Sequence, residues 1–393
     1  MSTRLISLNT DLTRLRHEGY EIEVRGGYLL VKNVPYVAPG PVVKLSTLVC
    51  ALDQTDGITQ APGVHTVLFT GDTPCNERGE PLESVIADSN QNDLGDGLIA
   101  RHRLSSKPAS GHYDDFYHKM SQYAGILCGY AAKLDPSVTA TPFNPVEPDA
   151  EEDTVFLYAD TASSRAEITG LTPKLKLPKV AIVGTGSTGG YVLDFLAKTE
   201  ICEIHLYDGD VLLQHNAFRV PGAASKEQLK GGPMKARHLA EQYSVLRKGI
   251  VAHTVRIDES NVEKLREMDF VFIAVDHTPS RRLIAEKLTE LGIAFIDVGM
   301  GLELVDGAIT GQIRTVASTP ANREWAVKRI PLQGDSAMDD YQRNIQVVEL
   351  NALNAAMAVI MWKKLMGFYA HPDCEMSTVF QVDGNIVITE TPD

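Results

Sequence analysis

The residues most suited to chemistry open with a glycine run, Gly184-Thr-Gly186-Ser-Thr-Gly189-Gly190. It follows the apolar run Val180–Val183 and precedes a stretch of helical spacing, Tyr191–Lys198, in which Val192, Leu193 and Leu196 share a face. Gly184, Gly186 and Gly189 let the chain turn tightly and bring backbone N–H groups to an anionic phosphate at a helix N-terminus. Asp208 closes the next apolar run 24 residues after Gly184, where an acidic side chain accepts hydrogen bonds from ribose hydroxyls. Asp210 follows in the same Asp-Gly-Asp step and joins this nucleotide-binding set. The glycines alone fit NAD as well as ATP, and a turn needed only for packing is the plainer alternative.

Four further residues separate these readings. Asn216 and Arg219 follow in DGDVLLQHNAFR, Lys235 in GGPMKAR, and Asp276 ends VFIAVD. Hydride transfer has no need of this cationic set. Attack on the α-phosphate of ATP does: Arg and Lys stabilise charge gathering on the phosphates, and an Asp can hold Mg2+. Singly, each cation reads as a solvated surface charge and Asp276 as a strand-end cap. Their order along the chain carries the functional reading.

The segments KVAIVGTGSTGGYV, EIHLYDGDVLLQHNAFR, PMKAR and VFIAVDHTPSRR, in that order, resemble the ThiF/MoeB-like adenylyltransferases of the ubiquitin-activating-enzyme superfamily. The resemblance covers about residues 160–390. It implies adenylation of the C-terminal carboxylate of a ubiquitin-like or sulfur-carrier protein, with release of pyrophosphate. It also implies Asp208 on the ribose, Asn216, Arg219 and Lys235 on the phosphates, Asp276 on Mg2+, and a homodimer in which Arg165 reaches the partner's ATP. Two departures stand out. The structural Cys-x-x-Cys pairs of many relatives are absent, and the crossover loop at 317–342 holds no cysteine. An acyl acceptor, if there is one, is then Ser318, Thr319, Ser336 or Cys374, or the acyl-adenylate passes directly to a partner. The opening LTRLRHEGYEIEVRGGYLLVKNVPYV is similar to activating proteins of bacterial ubiquitin-like conjugation systems. That likeness implies an N-terminal domain engaging the ubiquitin-like protein or a conjugating-enzyme partner. The competing functions are a non-catalytic ThiF-like subunit of a heteromeric complex and an NAD-dependent oxidoreductase.

Positioning these residues requires a doubly wound sheet. Val180–Val183, Glu203–Tyr207, Val251–Ile257, Phe270–Val275 and Ala294–Val298 read as strands, with helices at 235–247 and 279–291 between them. Alternation of strand and helix predicts an α/β, Rossmann-like, mostly parallel sheet with helices on both faces. GAITGQIRTVAS reads as a strand, Asp339–Gly367 as a long buried helix, and VFQVDGNIVITE as a hairpin turning at Asp383-Gly384 in a type I′ turn. Asn351 and Asn354 in that helix satisfy buried neighbours or line a channel. Upstream, YEIEVRGGYLLV reads as a hairpin around Gly26-Gly27, HTVLFT as a strand and 113–134 as an amphipathic helix. A smaller α+β domain over 1–150 and an adenylation domain over 151–393 are expected, divided by the proline-rich acidic stretch LDPSVTATPFNPVEPDAEED. His112, Asp114 and His118 read as a solvated face rather than a metal site.

The 393 residues are 44% hydrophobic and carry a net charge of −14. That balance argues against a general nucleic-acid binder, which needs a basic surface. No apolar run reaches the ~18 residues of a membrane span, and the start lacks the apolar core of a signal peptide. Five scattered cysteines then read as reduced thiols in a cytoplasm.

Overall fold

The computed structural model describes residues 2–148, 154–332 and 345–392. It divides into two compact units, Met1–Asp153 with Tyr158–Arg165, and Thr154–Leu157 with Ala166–Asp393.

The first unit is built on an antiparallel sheet of β1 (Glu21–Arg25), β2 (Tyr28–Ala38), β3 (Val42–Ala51), β4 (Thr66–Phe69), β5 (Ile86–Asp88) and β6 (His102–Ser105). Its order is β1-β2-β3-β4-β6-β5. Arg25 pairs with Tyr28, and Gly26 (φ 57°) and Gly27 (φ 81°) form a two-residue turn with both φ positive, a conformation glycine enters without a Cβ penalty. Helix α1 (Thr10–His17) precedes the sheet and α2 (Phe116–Leu134) follows it. The Asp115 carboxylate caps α2 by accepting from the His118 N–H at 2.6 Å. Phe116, Met120, Tyr123 and Leu127 of α2 share a core with Leu29, Val31, Leu48 and Phe69.

The second unit carries β7 (Lys179–Val183), β8 (Glu203–Tyr207), β9 (Ile250–His253), β10 (Phe270–Ile273), β11 (Ala294–Val305), β12 (Ala308–Ser318), β13 (Ser377–Gln381) and β14 (Ile386–Glu390). The order is β9-β8-β7-β10-β11-β12-β13-β14. The first four pairings are parallel and the last three antiparallel. From β7 the chain winds outward to β8 and β9, then returns to β10 on the other flank. The order therefore reverses between β7 and β10, where α/β sheets open a crevice beyond their carboxyl ends.

Side chains alternate across this sheet, as the strand period requires. Val180, Ile182, Phe270 and Phe272 enter one core with α3 (Ser187–Leu196), α5 (Lys235–Tyr243) and α7 (Val348–Leu365). Ala181, Val183, Val271 and Ile273 enter the opposite core with α6 (Thr278–Glu290). Burial on both faces explains why these strands read as continuous apolar runs. The expected fold class is observed: a Rossmann-like sheet with helices on both faces, preceded by a sheet-rich unit.

Several local expectations need correction: the strand expected over Ala294–Val298 runs on to Val305, the one over Phe270–Val275 stops at Ile273, and the 113–134 helix starts at Phe116. β9 stops at His253 instead of running to Ile257, because Arg256 turns to Asp210. The 235–247 helix ends at Tyr243. α7 starts at Val348, since Val347 is extended (φ −116°, ψ 147°), and the expected residues 339–344 lie outside those described. The β13–β14 hairpin closes on Gln381 and Ile386, leaving a four-residue loop with Asn385 left-handed (φ 49°), so Asp383-Gly384 is not a two-residue type I′ turn.

Candidate nucleotide site

The glycines divide into two kinds. Gly184 (φ +89°) lies so close to β10's end that a Cβ would sit 2.5 Å from the Ala274 carbonyl oxygen. A Cβ on Gly189 would fall far inside contact distance of the Gly184 carbonyl oxygen. Both are therefore demanded by strand–helix packing. Gly186, the N-cap residue of α3, is different: a Cβ there meets nothing within 4 Å. The space beside the first turn of α3 is open. In that turn the buried Ser187 hydroxyl has no hydrogen-bond partner.

Asp208 follows β8 directly and braces this loop. Its Oδ2 accepts from the Thr185 N–H (2.8 Å) and hydroxyl (3.1 Å), and its Oδ1 accepts from the Asp210 N–H (2.8 Å). Asp210 in turn accepts from Lys235 Nζ (2.9 Å) and Arg256 Nη2 (2.6 Å). Burial pushes the Asp210 carboxyl up, but hydrogen bonds from Arg256 and Lys235 outweigh it and hold the group below its ordinary value. Arg256 was not singled out in the sequence, where it sat in a run taken for a strand.

Buried Asn216 closes the single turn of α4 (Gln214–Ala217) by accepting from the Leu213 N–H at 2.9 Å. It thus fixes the backbone that carries Arg219. The Arg219 Nε is buried with no hydrogen-bond partner. Burial depresses its guanidinium, and neighbouring Asp276 opposes that shift. Asp276 is exposed beyond β10. It is not the helix cap; His277 takes that place, its Nδ1 accepting from the Ser280 N–H at 3.3 Å. Register aligns the set, with Val183 beside both Tyr207 and Ile273. Gly184, Asp208 and Ala274–Asp276 therefore share the carboxyl end of the sheet at the switch point.

Among the described residues no cluster of three or more His, Cys, Asp or Glu could hold a metal ion. The His112, Asp114 and His118 side chains are exposed, and α2 begins after Asp114. Asp276 alone fits Mg2+, which commonly takes one or two carboxylates and completes its shell with waters and phosphates. Arg165 is the exposed last residue of helix Thr161–Arg165 and falls in the first unit. There the His17 imidazole is pushed down by burial and then by Arg165 and Arg16.

The acceptor candidates fare unequally. Ser318 is 0% exposed, ends β12 and accepts from Arg323 Nη1 at 3.2 Å, so its hydroxyl is not available to an incoming acyl group. The expectation for Ser318 is corrected on that ground. The Thr319 hydroxyl donates to Asn322 Oδ1 at 3.1 Å. Ser336 lies outside the described residues. Cys374 is an exposed free thiol in a left-handed position (φ 49°). Asn351 and Asn354 satisfy buried neighbours: Asn351 accepts from the Thr188 hydroxyl (2.7 Å), and Asn354 accepts from the Thr315 hydroxyl (3.2 Å) and donates to the Gly299 carbonyl (3.0 Å).

Fold and crevice define a Rossmann-like α/β domain with a glycine-led site at its switch point. Residues 164–385 match the ThiF family, and the chain belongs to that family. Residues 10–161 match a domain of unknown function, DUF6791. The chain is similar to the adenylyltransferase and sulfurtransferase UBA4 of Saccharomyces cerevisiae, 26% identical over 134 residues, which is 33% of this chain and 30% of that protein. Its fold is similar to E. coli MccB with ATP (20% identity, TM-score 0.44, covering 56% of this chain and 65% of that one). It is also similar to MccB with MccA (17%, TM-score 0.47, 59% and 72%) and to PaaA (15%, TM-score 0.46, 69% and 92%). Among the described residues no helix is long and apolar enough to cross a membrane.

Proposed function

We propose that this chain binds ATP with Mg2+ and adenylates the C-terminal carboxylate of a ubiquitin-like protein, which a conjugating-enzyme-like partner then receives. The observation that carries this reading is Arg219: a guanidinium whose buried Nε has no partner, beside exposed Asp276, at the switch point of a ThiF-family sheet. An anionic phosphate supplies what that nitrogen lacks. Gly186 leaves room for it at the N-terminus of α3, where N–H groups point outward. Asp208 receives ribose hydroxyls on the lone pairs left beside its loop bonds. Lys235 exchanges Asp210 for phosphate as charge gathers in the transition state. Asp276 would hold Mg2+, which would further neutralise the phosphates. An ammonium and two guanidiniums around this crevice favour nucleotidyl transfer over hydride transfer.

Pyrophosphate exchange into ATP, dependent on a ubiquitin-like protein with a free C-terminus, tests the reading. Asp276→Ala is expected to lower exchange roughly a hundredfold or more. Being exposed, the substitution should alter stability by only about 0.5 kcal/mol. Near-normal exchange in that variant would remove Asp276 from the site.

Onward transfer is read on gels with and without reductant. With Ser318 buried, any stable adduct is expected on Thr319, Ser336 or Cys374, a thioester on Cys374 alone being cleaved by thiols. A reductant-sensitive adduct that survives Cys374→Ala would contradict this assignment.

A further inference from the structure

Beneath the candidate site lies a carboxylate that the proposed chemistry does not use. Asp297, on β11, is 0% exposed. Arg281 Nε stands 3.1 Å from its Oδ1, and Arg314 Nη2 stands 2.7 Å from its Oδ2. Arg281 is itself buried and also donates through Nη2 to the Val275 carbonyl oxygen. Arg314 donates through Nη1 to the Arg329 carbonyl at 3.2 Å. A Cβ on Gly299 would sit 2.6 Å from Arg314 Nη2, so glycine there leaves the guanidinium room to reach Asp297.

We propose that Asp297 is a positioning residue for Asp276, acting through Arg281. The inference rests on the reading that Asp276 serves the nucleotide. Three points support it. First, the triad is a poor source of stability. Buried charges are costly to desolvate, and the return depends on good geometry. Here Arg281 Nε and Asp297 Oδ1 make no directed hydrogen bond despite their proximity. Second, the connection is short. Asp297 sits beside Ile273 in register, Arg281 bridges to the Val275 carbonyl, and Asp276 is the next residue. Third, the same loop is clamped from the other side, where the Ala274 carbonyl packs against Gly184. The segment bearing Asp276 is thus held between the glycine turn and a charge anchored in the sheet.

The test compares wild type with Asp297→Asn and with an apolar triple variant, Asp297→Leu/Arg281→Met/Arg314→Leu. Two readouts are taken: amide hydrogen exchange across residues 274–280 in the nucleotide-free chain, and the Mg2+ dependence of pyrophosphate exchange. Asp297→Asn is expected to speed amide exchange in that segment, lower pyrophosphate exchange roughly tenfold or more, and raise the Mg2+ concentration needed for half-maximal rate. The triple variant should regain thermal stability but not pyrophosphate exchange. Unchanged protection of 274–280 in Asp297→Asn overturns the inference, as does full pyrophosphate exchange in the triple variant. A wild-type chain that performs no pyrophosphate exchange overturns the proposed function instead, and the amide readout still decides whether Asp297 holds this loop.

Discussion

Asp210 shows what residue types disclose and what they conceal. The order of Gly184, Asp208, Asn216, Arg219, Lys235 and Asp276, with the family resemblance it carries, is what groups them in the sequence, and register sets the strand ends before Gly184, Asp208 and Ala274–Asp276 side by side. That order did not disclose that Asp210 is shared by Lys235 and Arg256, since Arg256 reaches it from 46 residues downstream. Nor did it disclose Asp297, whose partners come from α6 and β12. Such pairings depend on register, which no local pattern reports. The Asp210 clamp predicts a pH effect with a definite sign. Burial is outweighed by Arg256 and Lys235, which hold its folded pKa below the ordinary value, so its contribution is present at neutral pH and is lost as acid protonates it in the fold. Melting wild type and Asp210→Asn from about pH 7 to about pH 2 should show a gap that closes below about pH 4. The gap should be modest, because the carboxylate is partly exposed and solvent screens it. A gap that widens in acid would contradict the pairing.

Elements were legible where burial made them repetitive. β7 and β10 are apolar on both faces, so their runs announced themselves, and β8 alternates Ile204 and Leu206 with Glu203 and His205; the Gly26-Gly27 hairpin was as plain. Ends were less legible because they are set by tertiary partners: Val347's extended backbone starts α7, and Asn385 takes the left-handed turn position expected at Gly384. The strand–turn–helix element at 179–196 allows a sharp prediction. Gly189→Ala drives a methyl into the Gly184 carbonyl and should lower the melting temperature by several degrees, about 1–3 kcal/mol of strain. Gly186→Ala meets no protein atom and should melt like wild type, yet weaken ATP at least roughly tenfold by filling the phosphate's approach. Calorimetric melts and ATP titrations separate the two. Equal ATP affinity in Gly186→Ala would show that no phosphate lies there.

At the scale of the whole molecule, apolar surface remains exposed on the second unit: Leu353 and Ile360 on α7, Leu304 and Ile309 on the β11–β12 hairpin, and Ile386, Val387 and Ile388 on edge strand β14. Glu390, paired with Arg329, is the one charge on that strand, and its three consecutive apolar residues stand exposed at the edge. The expected cover is a second copy of the chain, with Arg165 contributed to the partner's ATP. Light scattering at micromolar concentration should return twice the chain mass. Because each chain carries −14, added salt should tighten the dimer by screening repulsion. A monomer under those conditions would refute it. What such a copy would meet is decided from inside. A helix clothed in apolar side chains has little reason to prefer one rotation about its axis. Rolling α7 by one residue, about 100°, would strand the Asn351 and Asn354 amides in hydrocarbon and deprive Thr188, Thr315 and Gly299 of their partners. Two inward-facing amides therefore act as a keyway, and in fixing the hidden stripe of the rod they also choose which stripe the outside world sees.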